Sequence, residues 1–257
     1  MILKTEVQGT VLVARFNHAN ANNPMSLELE NAIRAVCDET ENNSAIRALV
    51  LTGGDERSFC AGGDFNEVAQ LSERAAVEAF VDRLIDFYST ILDVTKPIVA
   101  AVGGYAVGIG FQVALCCDWR IGSPETKLLM WELKHGLACT LGGYMLESIL
   151  SRAAMSDIIY GCEAIPVSWA TDQKLLNEVV DSRNLVERAI ARAQMLGEFP
   201  EVTFRRTKES VNQRFVAGLR EIATAAKEAH VAGFGSRAAE KHFKNILGEQ
   251  VEAVTRS

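Results

Sequence analysis

Two glycine-rich stretches hold the residue types best suited to chemistry, "ERSFCAGGDF" (56–65) and "GGYAVGIGF" (103–111). Each follows an apolar run, "RALVLT" (47–52) and "KPIVAAV" (96–102). Paired glycines at a strand end mark backbone that comes close to something else. The second stretch runs on into "GIGFQVALCC" (108–117), which reads as a helix start. Such loops can point backbone N–H groups into a cleft, with the positive end of a helix dipole behind them. Two N–H donors on one oxygen make an oxyanion hole, the main electrostatic aid to enolate or acyl chemistry. The same glycines also suit plain strand–helix packing, and both readings stand at this level. "GYAVGIG" fails the G-x-G-x-x-G spacing of dinucleotide sites.

Other reactive side chains have plain readings of their own. Glu132, in "MWELKHG", follows the apolar run "KLLMW" and could be an ordinary strand-end carboxylate. Gln112 could cap or pack a helix. His230, in "KEAHVAGFG", shares a helical face with Ile222 and Ala226, as a buried structural histidine would. His135 precedes Gly136 and reads as loop support. Lys241 and Lys244, in "EKHFKNIL", suit the polar face of a terminal helix. The six cysteines show no Cys-x-x-Cys spacing and no histidine pair joins them, so they read as buried thiols of a reducing cytoplasm, without zinc.

The elements that must position these groups alternate. Strands are predicted at 10–16, 47–52 and 96–102. A helix begins at a Ser26 cap, with Leu29, Ile33, Val36 and Cys37 on its apolar face. The longest helix is expected after Ser72, its stripe running from Val77 through Phe80, Leu84 and Tyr88 to Leu92. Lys96-Pro97 stops it. From about Gly142 the pattern is helical, with stretches near 143–151, 153–162, 184–197, 203–230 and 237–247. With no linker or repeat, this is one α/β domain with a helical tail.

Bulk properties agree with a globular enzyme-sized domain. The chain has 257 residues, 48% hydrophobic and 23% charged, enough for a sizeable core. A net charge of −7 argues against a nucleic-acid surface. No apolar run has membrane-spanning length, and "MILKTEVQGT" lacks a signal pattern. A cytoplasmic location is expected.

"SFCAGGDF", "KPIVAAVGGYAVGIGFQVALCCD" and "LLMWELKHGLACTLGG", in that order, resemble the crotonase (enoyl-CoA hydratase/isomerase) superfamily over about residues 10–248. The resemblance implies a spiral of ββα units over about 1–195 and a C-terminal helical region over about 196–257. It also implies a homotrimer or hexamer, a coenzyme A thioester as substrate, and no tightly bound cofactor or metal. It puts the oxyanion donors on the N–H groups of Gly63 and Ile109, and the coenzyme A path along Ala61, Gly62 and Asp64. Lys241 and Lys244 would contact coenzyme A phosphates.

Hydratases of this superfamily place two glutamates over the substrate. Here the first position is Gln112, whose amide cannot trade a proton with water, and the second is Glu132. One carboxylate beside an oxyanion hole suits decarboxylation of a malonyl thioester, which needs no base. Gln112, "ELKHG", "ERSFCAGGDFNEV" and "HFKNILG" resemble the carboxymethylproline synthase group. That group joins malonyl-CoA to pyrroline-5-carboxylate, or its open glutamate semialdehyde, and hydrolyses the thioester. There Glu132 would activate water and His230 would bind the second substrate's carboxylate. Trp131, where the superfamily has proline, and Ala21, where it has a basic residue, depart from the pattern. The alternatives are a one-glutamate enoyl-CoA hydratase or isomerase and a non-catalytic binding protein of this fold.

Overall fold

The computed structural model describes residues 1–54 and 56–236. β1 (Leu3–Gln8) and β2 (Val11–Phe16) form an antiparallel hairpin that turns at Gly9, φ +63°. There follow α1 (Leu27–Asn42), β3 (Ala48–Thr52), the single turn α2 (Phe65–Val68), α3 (Arg74–Asp93), β4 (Ile98–Val102), β5 (Tyr105–Val107) and α4 (Ile109–Cys116). Next come β6 (Trp119–Gly122), β7 (Lys127–Leu129), a 3-10 turn (Glu132–His135), α5 (Thr140–Glu147), α6 (Arg152–Gly161), α7 (Val167–Asp172) and β8 (Glu178–Val179). The described chain ends with α8 (Leu185–Gly197), α9 (Glu201–Glu221) and α10 (Ala223–Phe234).

Six strands form one sheet in the order β1-β2-β3-β4-β6-β8, parallel from β2 onward, and β5 pairs with β7 in a second small sheet. Strand periodicity divides the core. Leu49, Leu51, Ile98 and Ala100 face α1 and α3, while Val50, Val99, Ala101 and Ile121 face α8. With both faces covered, β3 and β4 are buried at every position, which is why they read as unbroken apolar runs. Each large side chain buried there contributes about 1.5–3 kcal/mol.

Local signals act as their chemistry dictates. The Ser26 hydroxyl accepts from Leu29 N–H and opens α1. α3 ends at Asp93, before Lys96-Pro97. Three expectations need correction. α9, at 21 residues, exceeds α3 at 20. The stretch 203–230 is two helices divided at Ile222, whose ψ of −2° departs from the helical value. The cysteines are not all fully buried: Cys139 is only partly so. The predicted helix at 237–247 lies outside the described residues.

The two glycine stretches are laced together. Cys60 N–H donates to Tyr105 C=O and Val107 N–H to Cys60 C=O, both 2.9 Å. On the other side, Met25 N–H donates to Gly62 C=O, 2.7 Å, and Asp64 N–H to Met25 C=O, 3.0 Å. These bonds hold residues 60–64 between residue 25 and β5, and bring Gly63 against the Ile109 side chain.

Candidate active site

The glycines divide into two kinds. At Gly110 a Cβ would stand 2.2 Å from the Cys60 carbonyl oxygen, so this glycine serves close packing of α4 on the first loop. Gly62 and Gly108 have φ of +103° and +48°, conformations that side-chain-bearing residues rarely adopt. They turn the chain so that Gly63 and Ile109 line one cavity. Gly63 N–H has no acceptor among the described residues, and Ile109 lies in the first turn of α4, where a helix offers its N–H none. Two residues whose N–H groups have no acceptor among the described residues thus line the cavity beside the positive end of α4.

Its floor is a buried polar chain. The Tyr88 hydroxyl of α3 donates to Gln112 Oε1, 2.6 Å, and Gln112 Nε2 donates to Glu132 Oε1, 2.8 Å. Glu132 opens the 3-10 turn after β7, and a Cβ at Gly108 would stand 3.2 Å from its Oε1. Its Oε2 is buried and has no hydrogen-bond partner among the described residues. Burial pushes the Glu132 carboxyl above its ordinary range; its own N–H, the Cys139 thiol and the Gln112 amide oppose the rise.

His230, on α10, is buried and lines the same cavity. Its Nδ1 lies 2.7 Å from the Ala226 carbonyl, which can only accept, so Nδ1 carries the proton and Nε2 has the lone pair of the neutral ring. Burial lowers its pKa below the ordinary imidazole value and so favours the neutral ring. Phe80 and Leu84 of α3, with Phe65 and Val68 of α2, supply an apolar side. Trp131 closes another side, its indole N–H donating to Cys162 C=O at 3.0 Å. His135 packs edge-on to Phe65, ring centroids 5.1 Å apart.

Ala61 and Gly62 also line the cavity. Asp64 does not. Its carboxylate caps α2, accepting from Asn66 N–H at 2.9 Å, and stands 4.0 Å from His18 Nε2. Lys241 and Lys244 lie outside the described residues. Among the described residues no cluster of three or more His, Cys, Asp or Glu side chains is arranged for a metal ion, and no helix is long and apolar enough to cross a membrane.

A family profile described as enoyl-CoA hydratase/isomerase matches residues 6–252. The chain belongs to that family. Within it, this crotonase is 41% identical over 240 residues to carboxymethylproline synthase of Pectobacterium carotovorum subsp. carotovorum, covering 93% of this chain and 96% of that protein. A solved structure, ThnE from S. clavuligerus, aligns with a TM-score of 0.75 at 33% identity, over 88% of this chain and all of that one, 100%. A probable enoyl-CoA hydratase of Mycobacterium bovis is more distant, 29% identical over 224 residues, with 82% of this chain and 84% of that protein covered. This crotonase is thus an enzyme similar to carboxymethylproline synthase.

Two residues of the crotonase site escape a reading of the sequence. Tyr88 lies in an apolar helical stripe and looks like core, and only its hydroxyl sets it apart. Cys139, beside Glu132, looks like another buried thiol, but it sits in the cavity wall.

Proposed function

We propose that this crotonase decarboxylates malonyl-CoA, joins the resulting enolate to pyrroline-5-carboxylate or glutamate semialdehyde, and hydrolyses the product thioester. One observation carries the reading: the side chain hydrogen-bonded to Glu132, the only carboxylate lining the cavity among the described residues, is an amide, at 2.8 Å. An amide gives no second acid or base for hydration, and it does not repel the carboxylate of an incoming malonyl group. The 41% identity to a carboxymethylproline synthase supports the same assignment.

In the first step the bond between the malonyl carboxyl group and the α-carbon breaks. CO₂ leaves, and the electron pair spreads over the α-carbon and the thioester oxygen. The N–H groups of Gly63 and Ile109 stabilise that oxygen. The α-carbon then attacks the imine carbon of the second substrate, whose nitrogen takes the displaced pair and a proton. Finally water adds to the thioester carbonyl, with Glu132 taking its proton, and coenzyme A departs as the thiol. His230 serves the second substrate's carboxylate once its Nε2 is protonated, since a neutral Nε2 lone pair would repel an anion. Ala61 and Gly62 flank the thioester. Lys241 and Lys244 are assigned to the coenzyme A phosphates by family analogy alone.

Mass spectrometry of reactions with malonyl-CoA, with and without pyrroline-5-carboxylate, tests the sequence of steps. Carboxymethylproline and free coenzyme A are expected only when both substrates are present. Acetyl-CoA as the sole product in both mixtures would overturn the carbon–carbon bond-forming step.

A further inference from the structure

Tyr88 lies behind the cavity, bonded to a residue that lines it, and the steps above have no use for it. It is fully buried on α3, and its hydroxyl lies 2.6 Å from Gln112 Oε1. The polarity of the chain follows from its far end. An ionised Glu132 can only accept, so the Gln112 amide must present Nε2, and its Oε1 then faces Tyr88, which must donate. With a phenyl ring in place of the phenol, only Glu132 itself would hold the amide in this sense. Its oxygen would lack a partner, and rotation of the amide would be favoured only with Glu132 protonated, which raises the carboxyl's pKa.

We propose that Tyr88 is a positioning residue, whose hydroxyl holds the Gln112 amide with its N–H₂ toward Glu132 and so keeps Glu132 in the ionised form that activates water. The proposal rests on Glu132 being the base of thioester hydrolysis. Other titratable groups face this chain. The Cys139 thiol stands beside Glu132, and His135 and His230 line the same cavity. Cys60, Cys116 and Glu30 lie around Tyr88. Tyr88 alone among them bonds the amide oxygen of Gln112.

Two variants test it, Tyr88→Phe and replacement of Tyr88 by 3-fluorotyrosine, whose more acidic phenol is the stronger donor. The readouts are the pH profile of thioester hydrolysis and the infrared carbonyl band of protonated Glu132, identified by its loss in Glu132→Gln. Tyr88→Phe is expected to move the acid limb up by about half to one pH unit, the size of one net hydrogen bond, with the high-pH plateau kept. The fluorinated protein is expected to move it down. A merely structural role would lower the plateau and leave the limb in place. If Tyr88→Phe does not fold, the fluorinated protein decides alone. An unmoved limb and band, with the limb lost in Glu132→Gln, would overturn the role of Tyr88 only. A limb that persists in Glu132→Gln would overturn the base assignment itself.

Discussion

Glu132→Gln is expected to lower thioester hydrolysis by about 10²–10⁴-fold, the usual loss on removing a positioned general base. Malonyl-CoA should bind as before, because decarboxylation asks nothing of this carboxylate and the amide keeps its volume. The carbon–carbon bond should still form, so the adduct should remain attached to coenzyme A and be seen as an intact thioester by mass spectrometry. The pH dependence has a definite sign. Glu132 must be ionised to accept a proton from water, and burial raises its pKa above the ordinary carboxylate value. Hydrolysis therefore falls as pH is lowered through that raised value, at a higher pH than an exposed glutamate would give. A variant that hydrolyses at the wild-type rate would remove Glu132 from the mechanism.

The second large effect concerns a backbone atom. Ile109 is the first residue of α4, the helical position where proline is best tolerated, since its missing N–H had no helical acceptor. Ile109→Pro should leave α4 formed and delete one of the two proposed oxyanion donors. Ile109→Ala removes the side chain and keeps the N–H. The proline variant is expected to decarboxylate malonyl-CoA about 10²–10³-fold more slowly than the alanine variant, the loss known for a single oxyanion-hole donor. Circular dichroism of both proteins checks the helix, and acyl-CoA binding checks the pocket. Equal rates in the two variants would show that the Ile109 N–H does not stabilise the enolate.

Much of this was readable in the chain, and the gaps have physical causes. The fully buried parallel strands β3 and β4 announce themselves as apolar runs, and Ser26 and Lys96-Pro97 mark their helix boundaries. β1 leaves little trace, because Leu3 is its only buried residue and an edge strand shows no alternation. The break at Ile222 is a single residue off the helical ψ between two helical segments, and neither glycine nor proline marks it. Distance along the chain hides the site. Gln112 and Glu132 stand out as a pair only through family resemblance, since a hydrogen bond across twenty positions has no local signature. Tyr88 is harder still, because its ring satisfies the apolar stripe of α3 and its hydroxyl gains meaning only once α4 lies against it. Asp64 shows the opposite case: a charged residue in a conspicuous loop whose carboxylate is used by the local helix cap.

The central claim is that one carboxylate paired with an amide has traded hydration for decarboxylation. The most direct measurement offers the wild-type enzyme malonyl-CoA and crotonyl-CoA together, with pyrroline-5-carboxylate, and follows the acyl-CoA pool by mass spectrometry. Loss of malonyl-CoA, with crotonyl-CoA left without added water, is the predicted result. Hydrated crotonyl-CoA beside untouched malonyl-CoA would contradict the account and return the site to hydratase chemistry.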